Sequence, residues 1–201
     1  MTESSGDPGA LIGRGRAADV YALDDRRVLR RYRTPHSCAG EADLMRYLRQ
    51  AGYPVPEVFA ADGADLVMER LAGRDMLADL IRRPWRAGRH ARVLAGLHDR
   101  LHRIPAPAGL RQPFGSGDRV VHLDLHPANI MLTAAGPVVI DWLRPAGAGL
   151  RRTFLRGFRA AVRDDPAPHL AEVARYRLAD PNIRPDEAER VRRLAGLSPP
   201  W

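Results

Sequence analysis

Between Leu11 and Arg33 the chain sets short apolar runs, carrying Val20, Val28 and Leu29, between a glycine-bearing turn and the pair Asp24-Asp25. That pattern predicts three antiparallel strands joined by tight turns. Thr34-Pro35 then reads as a helix start, with threonine at the N-cap and proline at the first helical position. Leu44, Met45 and Leu48 form one apolar stripe before Gly52 stops the helix. Two further extended runs, Glu57 to Ala61 and Ala64 to Leu71, flank Asp62-Gly63, a dipeptide that favours the left-handed turn of a hairpin. The first 70 or so residues therefore predict five strands and one helix.

Past Ala72-Gly73, which reads as a hinge, the period lengthens. Roughly thirty residues carry Val93, Leu94, Leu97, Leu101 and Ile104 on one helical face, and Pro105 ends that helix. Three short apolar runs follow: Arg119 to Val121, Ile130 to Leu132 and Val138 to Ile140, the last two split by Ala135-Gly136. From about Leu150 apolar residues and arginines alternate at helical spacing, which predicts two or three amphipathic helices. The expected organisation is α+β: a polar tail over 1–10, a strand-rich lobe over 11–71 and a mostly helical lobe over 72–201.

Composition narrows the function classes. At 201 residues and 45% hydrophobic content the chain can bury a core. No apolar run approaches the roughly 18 residues that span a bilayer, and the opening MTESSGDPGA lacks the basic and apolar parts of a signal peptide, so a cytoplasmic protein with no membrane partner is expected. Cys38 is the only cysteine, which excludes an internal disulfide and a cysteine-based zinc cluster. The net charge of +8 and pI near 10.8 suit a polyanion such as a nucleotide or nucleic acid. Every one of the 32 basic residues is arginine, spread along the chain rather than gathered, and aromatic residues make up only 6%. Single-strand stacking platforms are therefore sparse, and nucleic acid is disfavoured as a partner.

The densest chemistry is His122-Leu-Asp124-Leu-His126-Pro127-Ala-Asn129, followed twelve residues later by Asp141 in Val138-Val-Ile-Asp-Trp142. Phosphoryl transfer needs a carboxylate to orient an attacking hydroxyl and take its proton, and oxygen ligands to hold magnesium against the phosphates. Asp124 supplies the first, and Asn129 with Asp141 the second. Pro127 stiffens the loop, and a hairpin from Ile130 to Ile140 returns the chain so that Asp141 can approach Asn129. The alternation of His122, Asp124 and His126 also leaves open a metallohydrolase site, although proline at 127 fits it poorly. His98 and His102, four apart on the long helix, read first as a packed face rather than as metal ligands.

These residues resemble the aminoglycoside phosphotransferase and choline kinase family, whose pattern is His-x-Asp-Leu-His-Pro-x-Asn followed by Ile-Asp-Trp or Ile-Asp-Phe. The resemblance implies a bilobal protein-kinase-like fold with an antiparallel N-lobe sheet and ATP in the cleft. It implies Asp124 as catalytic base, Asn129 and Asp141 as metal ligands and His122 as a brace for the loop. Upstream, Gly13-Arg-Gly15-Arg-Ala-Ala18 is similar to the glycine-rich loop over ATP phosphates, with Ala18 where a third glycine is usual. Arg30 stands where the family has a basic strand residue paired to an acid, here Glu41, in the next helix; kinases normally use lysine. The resemblance further implies adenine contacts from the backbone at Glu69 and Leu71.

The expected function is an ATP- and Mg2+-dependent phosphotransferase acting on a hydroxyl of a small molecule, with a catalytically impaired nucleotide-binding protein as the alternative suggested by Ala18 and Arg30. Arg151, Arg152, Arg156, Arg159 and Arg163, in the region where the family holds its acceptor, disfavour a strongly cationic one.

Overall fold

The structure is a computed structural model that describes residues 8–15, 17–34, 37–110, 118–122, 124–142, 174–175, 178–179, 185–194 and 196. Its contacts divide the chain into two compact units. One comprises residues 1–76 together with Ala128–Leu143, and the other Leu77–Pro127 with the chain from Arg144 onward. The Ile130–Ile140 hairpin thus groups with the N-terminal strands.

The first unit is built on a five-stranded antiparallel sheet of β1 (Ala10–Arg14), β2 (Ala18–Ala22), β3 (Arg27–Tyr32), β4 (Val58–Asp62) and β5 (Asp65–Glu69). The strand order is β1-β2-β3-β5-β4. The predicted turns close it. Asp24 Oδ1 accepts from the main-chain N–H groups of Arg26 and Arg27 at 2.8 and 2.7 Å, and Gly63 takes a φ of 51° between β4 and β5. Between β3 and β4 lies α1 (Ala39–Gln50), whose buried stripe is Glu41, Ala42, Met45 and Leu48.

The predicted start of α1 at Thr34-Pro35 is corrected: the helix begins at Ala39, with Cys38 at the N-cap and no side-chain cap. The reason is long-range. Cys38 donates its N–H to Gly63 O at 2.9 Å and its Sγ lies 3.2 Å from Asp65 O, so the β4–β5 hairpin holds the entry in a non-helical conformation.

A second sheet, absent from the sequence expectation as a sheet, pairs β6 (Arg74–Asp75) with β7 (Ile130–Thr133), and β7 with β8 (Gly136–Val139). Gly73 enters β6 at φ 149°, where a Cβ would lie 2.2 Å from Leu132 O. Close backbone approach, beyond conformational freedom, requires glycine there. Val139 N–H donates to Pro54 O at 2.8 Å, and the Trp142 ring meets Tyr53 edge-on at 5.8 Å.

In the second unit the long predicted helix is two helices, α2 (Met76–Arg82) and α3 (Ala87–Leu101), with a 3₁₀ turn at Pro84–Arg86 between them. Pro84 has no N–H to continue α2. Asp79 tightens the corner: its buried carboxylate accepts from Arg83 Nη1 at 2.8 Å, contacts His90 Nε2 at 2.9 Å and lies 3.4 Å from Arg86 Nη1. The His90 hydrogen bond first, then Arg83, holds the Asp79 carboxyl below its ordinary range. The apolar face of α3 buries Leu94, Leu97 and Leu101 as expected; Val93 is half-buried. Arg119 forms a single bridge with Pro105, and the run after it does not extend into a strand. One C-terminal helix, α4 (Pro185–Leu194), is described. The other helices expected after Leu150, and the acceptor arginines, lie outside the described residues.

Candidate active site

In the first unit, strand alternation points Arg30 and Tyr32 to the same side of β3, and the first turn of α1 brings Glu41 to meet them. Arg30 Nη1 lies 3.1 Å from Glu41 Oε1, and Arg30 Nη2 lies 2.5 Å from Asp141 Oδ1. Arg30 and Asp141 are 111 positions apart in sequence. The Tyr32 hydroxyl donates to Glu41 Oε2 at 2.6 Å, and the Arg30 guanidinium stands 5.0 Å over the Tyr32 ring. The main-chain N–H of Trp142 also donates to Glu41.

Burial pushes the Glu41 carboxyl above its ordinary range, and Arg30 with the Tyr32 hydroxyl offset only part of that. Burial works against the charge on Arg30, but Glu41 and Asp141 outweigh it, so the guanidinium stays firmly protonated. Burial, reinforced by Glu41, likewise pushes the Tyr32 hydroxyl up and keeps it a donor.

The β7–β8 hairpin sets Asn129 and Asp141 at its open end. Ile130 pairs with Val139, and just beyond them Ile140 N–H donates to Asn129 O at 3.0 Å. Asn129 is buried, whereas the Asp141 side chain is 39% exposed, so its second oxygen is within reach of solvent. Asp141 holds φ at 65°, the left-handed region, which costs a non-glycine residue about 1 kcal/mol or more. Its ion pair with Arg30 helps hold that conformation. An amide oxygen and a carboxylate are the hard donors that magnesium prefers, so this end of the hairpin fits such a cation.

The glycine motif lies on the β1–β2 hairpin. Gly15 N–H donates to Ala18 O at 2.8 Å, and a Cβ at Gly15 would come within 3.0 Å of that oxygen. At Gly13 an added Cβ would make only ordinary contact with Val20. Arg33 Nη2 donates to Gly15 O at 2.8 Å while its guanidinium pairs with Asp19, so the turn is tied to the end of β3. Glu69 ends β5, its N–H donating to Glu57 O at 2.8 Å and its carboxylate accepting from Glu57 N–H at 3.1 Å. Leu71 lies two residues on, and among the described residues its main-chain groups bond to no other main-chain group.

The second unit carries the other half of the motif. Asp124 is buried, its N–H donates to His122 Nδ1 at 3.3 Å, and His126 Nε2 lies 3.5 Å from its Oδ2. His98 on α3 bonds to the main chain of Leu125. Burial pushes His98 down to about 4, with His102 adding to the effect, so it is neutral at physiological pH. The His98 and His102 rings meet edge-on at 5.6 Å, a packing contact. Among the described residues no three His, Cys, Asp or Glu side chains gather to hold a metal, which leaves the metallohydrolase reading without a ligand set.

The structure brings Arg30 and Glu41 together, and His98 packs on His102 as their spacing suggested. Tyr32 and Arg33 carry no assignment from the sequence; Tyr32 is signalled by its position two residues after Arg30 on one strand face, and no local pattern marks Arg33.

The phosphotransferase enzyme family profile, APH, matches residues 9–119, a span that covers the β1–β2 turn, Arg30, Glu41 and Glu69 and stops just short of His122. No curated protein sequence matches the chain. Among solved structures, a choline/ethanolamine kinase family protein from Mesorhizobium loti superposes with a TM-score of 0.55 at 16% identity, covering 96% of this chain and 88% of that one. At that identity the likeness shows the fold, which is kinase-like and α+β. With more than half of its length matched, the chain belongs to the phosphotransferase enzyme family.

Proposed function

We propose that this protein is a small-molecule kinase that transfers the γ-phosphoryl group of ATP, with Mg2+, to a hydroxyl. The observation that carries the reading is the Arg30–Glu41–Tyr32–Asp141 network: a basic strand residue, a helix acid and the hairpin-end aspartate joined across 111 positions. Structural stability alone gives no reason to hold Asp141 in a strained conformation. Asn129 and Asp141 would hold the cation, which when bound neutralises charge on the phosphates. The amides of the Gly13–Gly15 turn would lie along the phosphates, and the backbone at Glu69 and Leu71 would meet the adenine.

Asp124 is the base in this reading. It orients the acceptor hydroxyl and takes its proton as the oxygen bonds to the γ-phosphorus and the bond to the β-phosphate oxygen breaks, leaving a phosphate ester and ADP. His122 fixes the main chain at Asp124 through its Nδ1. Asp124 and Asn129 are five positions apart in sequence. The cytoplasm is the compartment we assign; among the described residues no helix is long and apolar enough to cross a membrane.

A second reading, a nucleotide binder that transfers nothing, is favoured by one observation: Arg30 occupies Asp141 Oδ1, an oxygen the cation would want. Incubation with γ-labelled ATP, Mg2+ and a panel of hydroxylated metabolites separates the two. Transfer to an acceptor that falls by about a hundredfold or more in Asp124→Asn, with ATP affinity by calorimetry unchanged, supports the kinase. ATP binding with no labelled product across the panel supports the second, and equal turnover in Asp124→Asn removes Asp124 as base.

A further inference from the structure

The corner between α2 and α3 exposes two large apolar side chains that nothing in the phosphotransfer chemistry uses. Ile81 is 67% and Trp85 76% exposed, whereas the buried members of this unit, such as Leu94 and Leu101, are sealed. Folding has not left them outside for want of order. Asp79, two residues before Ile81, is buried and ties down Arg83, Arg86 and His90, which turns the opposite side of the corner to solvent. A tryptophan in so well-braced a turn signals a surface that meets something apolar.

Charge identifies the occupant. Residues 80–98 contain Arg82, Arg83, Arg86, Arg89 and Arg92 and no Asp or Glu. Among the described residues Asp79 is the carboxylate that answers them; it engages Arg83 and Arg86, while Arg82, Arg89 and Arg92, all within eleven positions of Ile81, are exposed. A second copy of this face would bring like charges together, which disfavours a symmetric dimer. One tryptophan offers too little stacking area for nucleic acid. Protruding Trp and Ile set among exposed arginines match the boundary of an anionic bilayer, where tryptophan settles at headgroup depth and arginine meets lipid phosphates.

We infer that the α2–α3 corner is a peripheral docking surface for anionic membrane lipid, with Trp85 and Ile81 entering the interface and Arg82, Arg89 and Arg92 pairing with headgroups. The sequence expectation of no membrane partner rested on the lack of a spanning segment, and surface docking needs none. The inference stands apart from the phosphotransfer reading, since none of these residues belongs to that site.

Sedimentation of the full chain with phosphatidylcholine vesicles containing phosphatidylglycerol, against phosphatidylcholine alone, is the test. Binding should require the anionic lipid and weaken with added salt. It should fall by about tenfold or more in Trp85→Ala and again in Arg82→Gln/Arg89→Gln, at unchanged melting temperature. Arg26→Gln/Arg46→Gln, which removes the same charge from exposed positions elsewhere, should bind like the parent. In a Trp201→Phe background, emission of Trp85 should shift to the blue on binding while the buried Trp142 stays constant. No binding, equal binding by Trp85→Ala, or an equal loss in the Arg26/Arg46 control would overturn the inference, as would tight binding to an acidic protein or RNA with none to vesicles.

Discussion

Replacing Arg30 by methionine would leave Glu41 as a buried carboxylate facing only the Tyr32 hydroxyl and the Trp142 main-chain N–H. Removing one partner of a buried ion pair costs about 3–5 kcal/mol when the other must stay charged. Glu41 has a cheaper route, because it can take up a proton. Holding it neutral at pH 7 against an ordinary value near 4.5 costs about 3 kcal/mol, at about 1.36 kcal/mol per pH unit. That route caps the charge contribution to the loss. The sign of the pH dependence follows: with the folded-state carboxyl raised, the native chain binds more protons than the unfolded one, so stability falls as pH rises from about 4.5 through the folded value. Without Arg30 the folded value moves higher still, and the decline extends toward neutrality. Urea unfolding followed by circular dichroism should show parent and Arg30→Met close near pH 4.5 and separated near pH 7 by at most about 3 kcal/mol, less the cost the parent's own raised carboxyl already carries. Arg30→Met/Glu41→Gln, which removes the carboxylate, should recover most of that gap at neutral pH. If the double variant is no more stable than the single one, or if the gap is the same at both pH values, the pairing does not carry the energy assigned to it.

Three further outcomes are expected. Gly73→Ala should lower stability by about 2 kcal/mol or more, because its Cβ meets the Leu132 carbonyl, and an unchanged melting temperature would show that the approach is looser than described. Asp79→Asn should lose about 1–2 kcal/mol by weakening the buried bond to His90, Arg83 being half-exposed; since the folded Asp79 value is lowered, its contribution is present above about pH 3.8 and vanishes as pH falls through the folded value, so the parent and variant unfolding curves should converge in acid. Because His98 is pushed down to about 4, the native state resists its protonation, and the parent should lose up to about 3 kcal/mol as pH falls from 6.5 to about 4; a His98→Gln variant with the same acid slope would exclude His98 as the cause.

The elements that could be read from the sequence are those whose signals are local. Val28 and Leu29, the Asp24 turn and Asp62-Gly63 each fix a few neighbouring dihedrals, and β2 to β5 follow directly from them. The start of α1 was misplaced because its determinant is the Cys38 bond to Gly63, 25 positions along the chain, against which a threonine and proline exert only local bias. The break at Pro84 follows from its missing N–H, one local signal inside a stretch that otherwise reads as helical. The candidate site divides in the same way. Asp124, Asn129 and Asp141 stand in one compact motif, and Arg30 with Glu41 follow from strand and helix positions. Tyr32 and Arg33 gain their meaning only once β3 is folded, since each acts on a group from another element. A buried charge such as Glu41 or Asp79 must find partners wherever the fold supplies them, so the network around it is set by long-range satisfaction and not by sequence period. For that reason the α2–α3 corner, whose buried Asp79 carboxylate holds Arg83, Arg86 and His90, orders a face whose outward tryptophan no periodicity would have distinguished from an inward one.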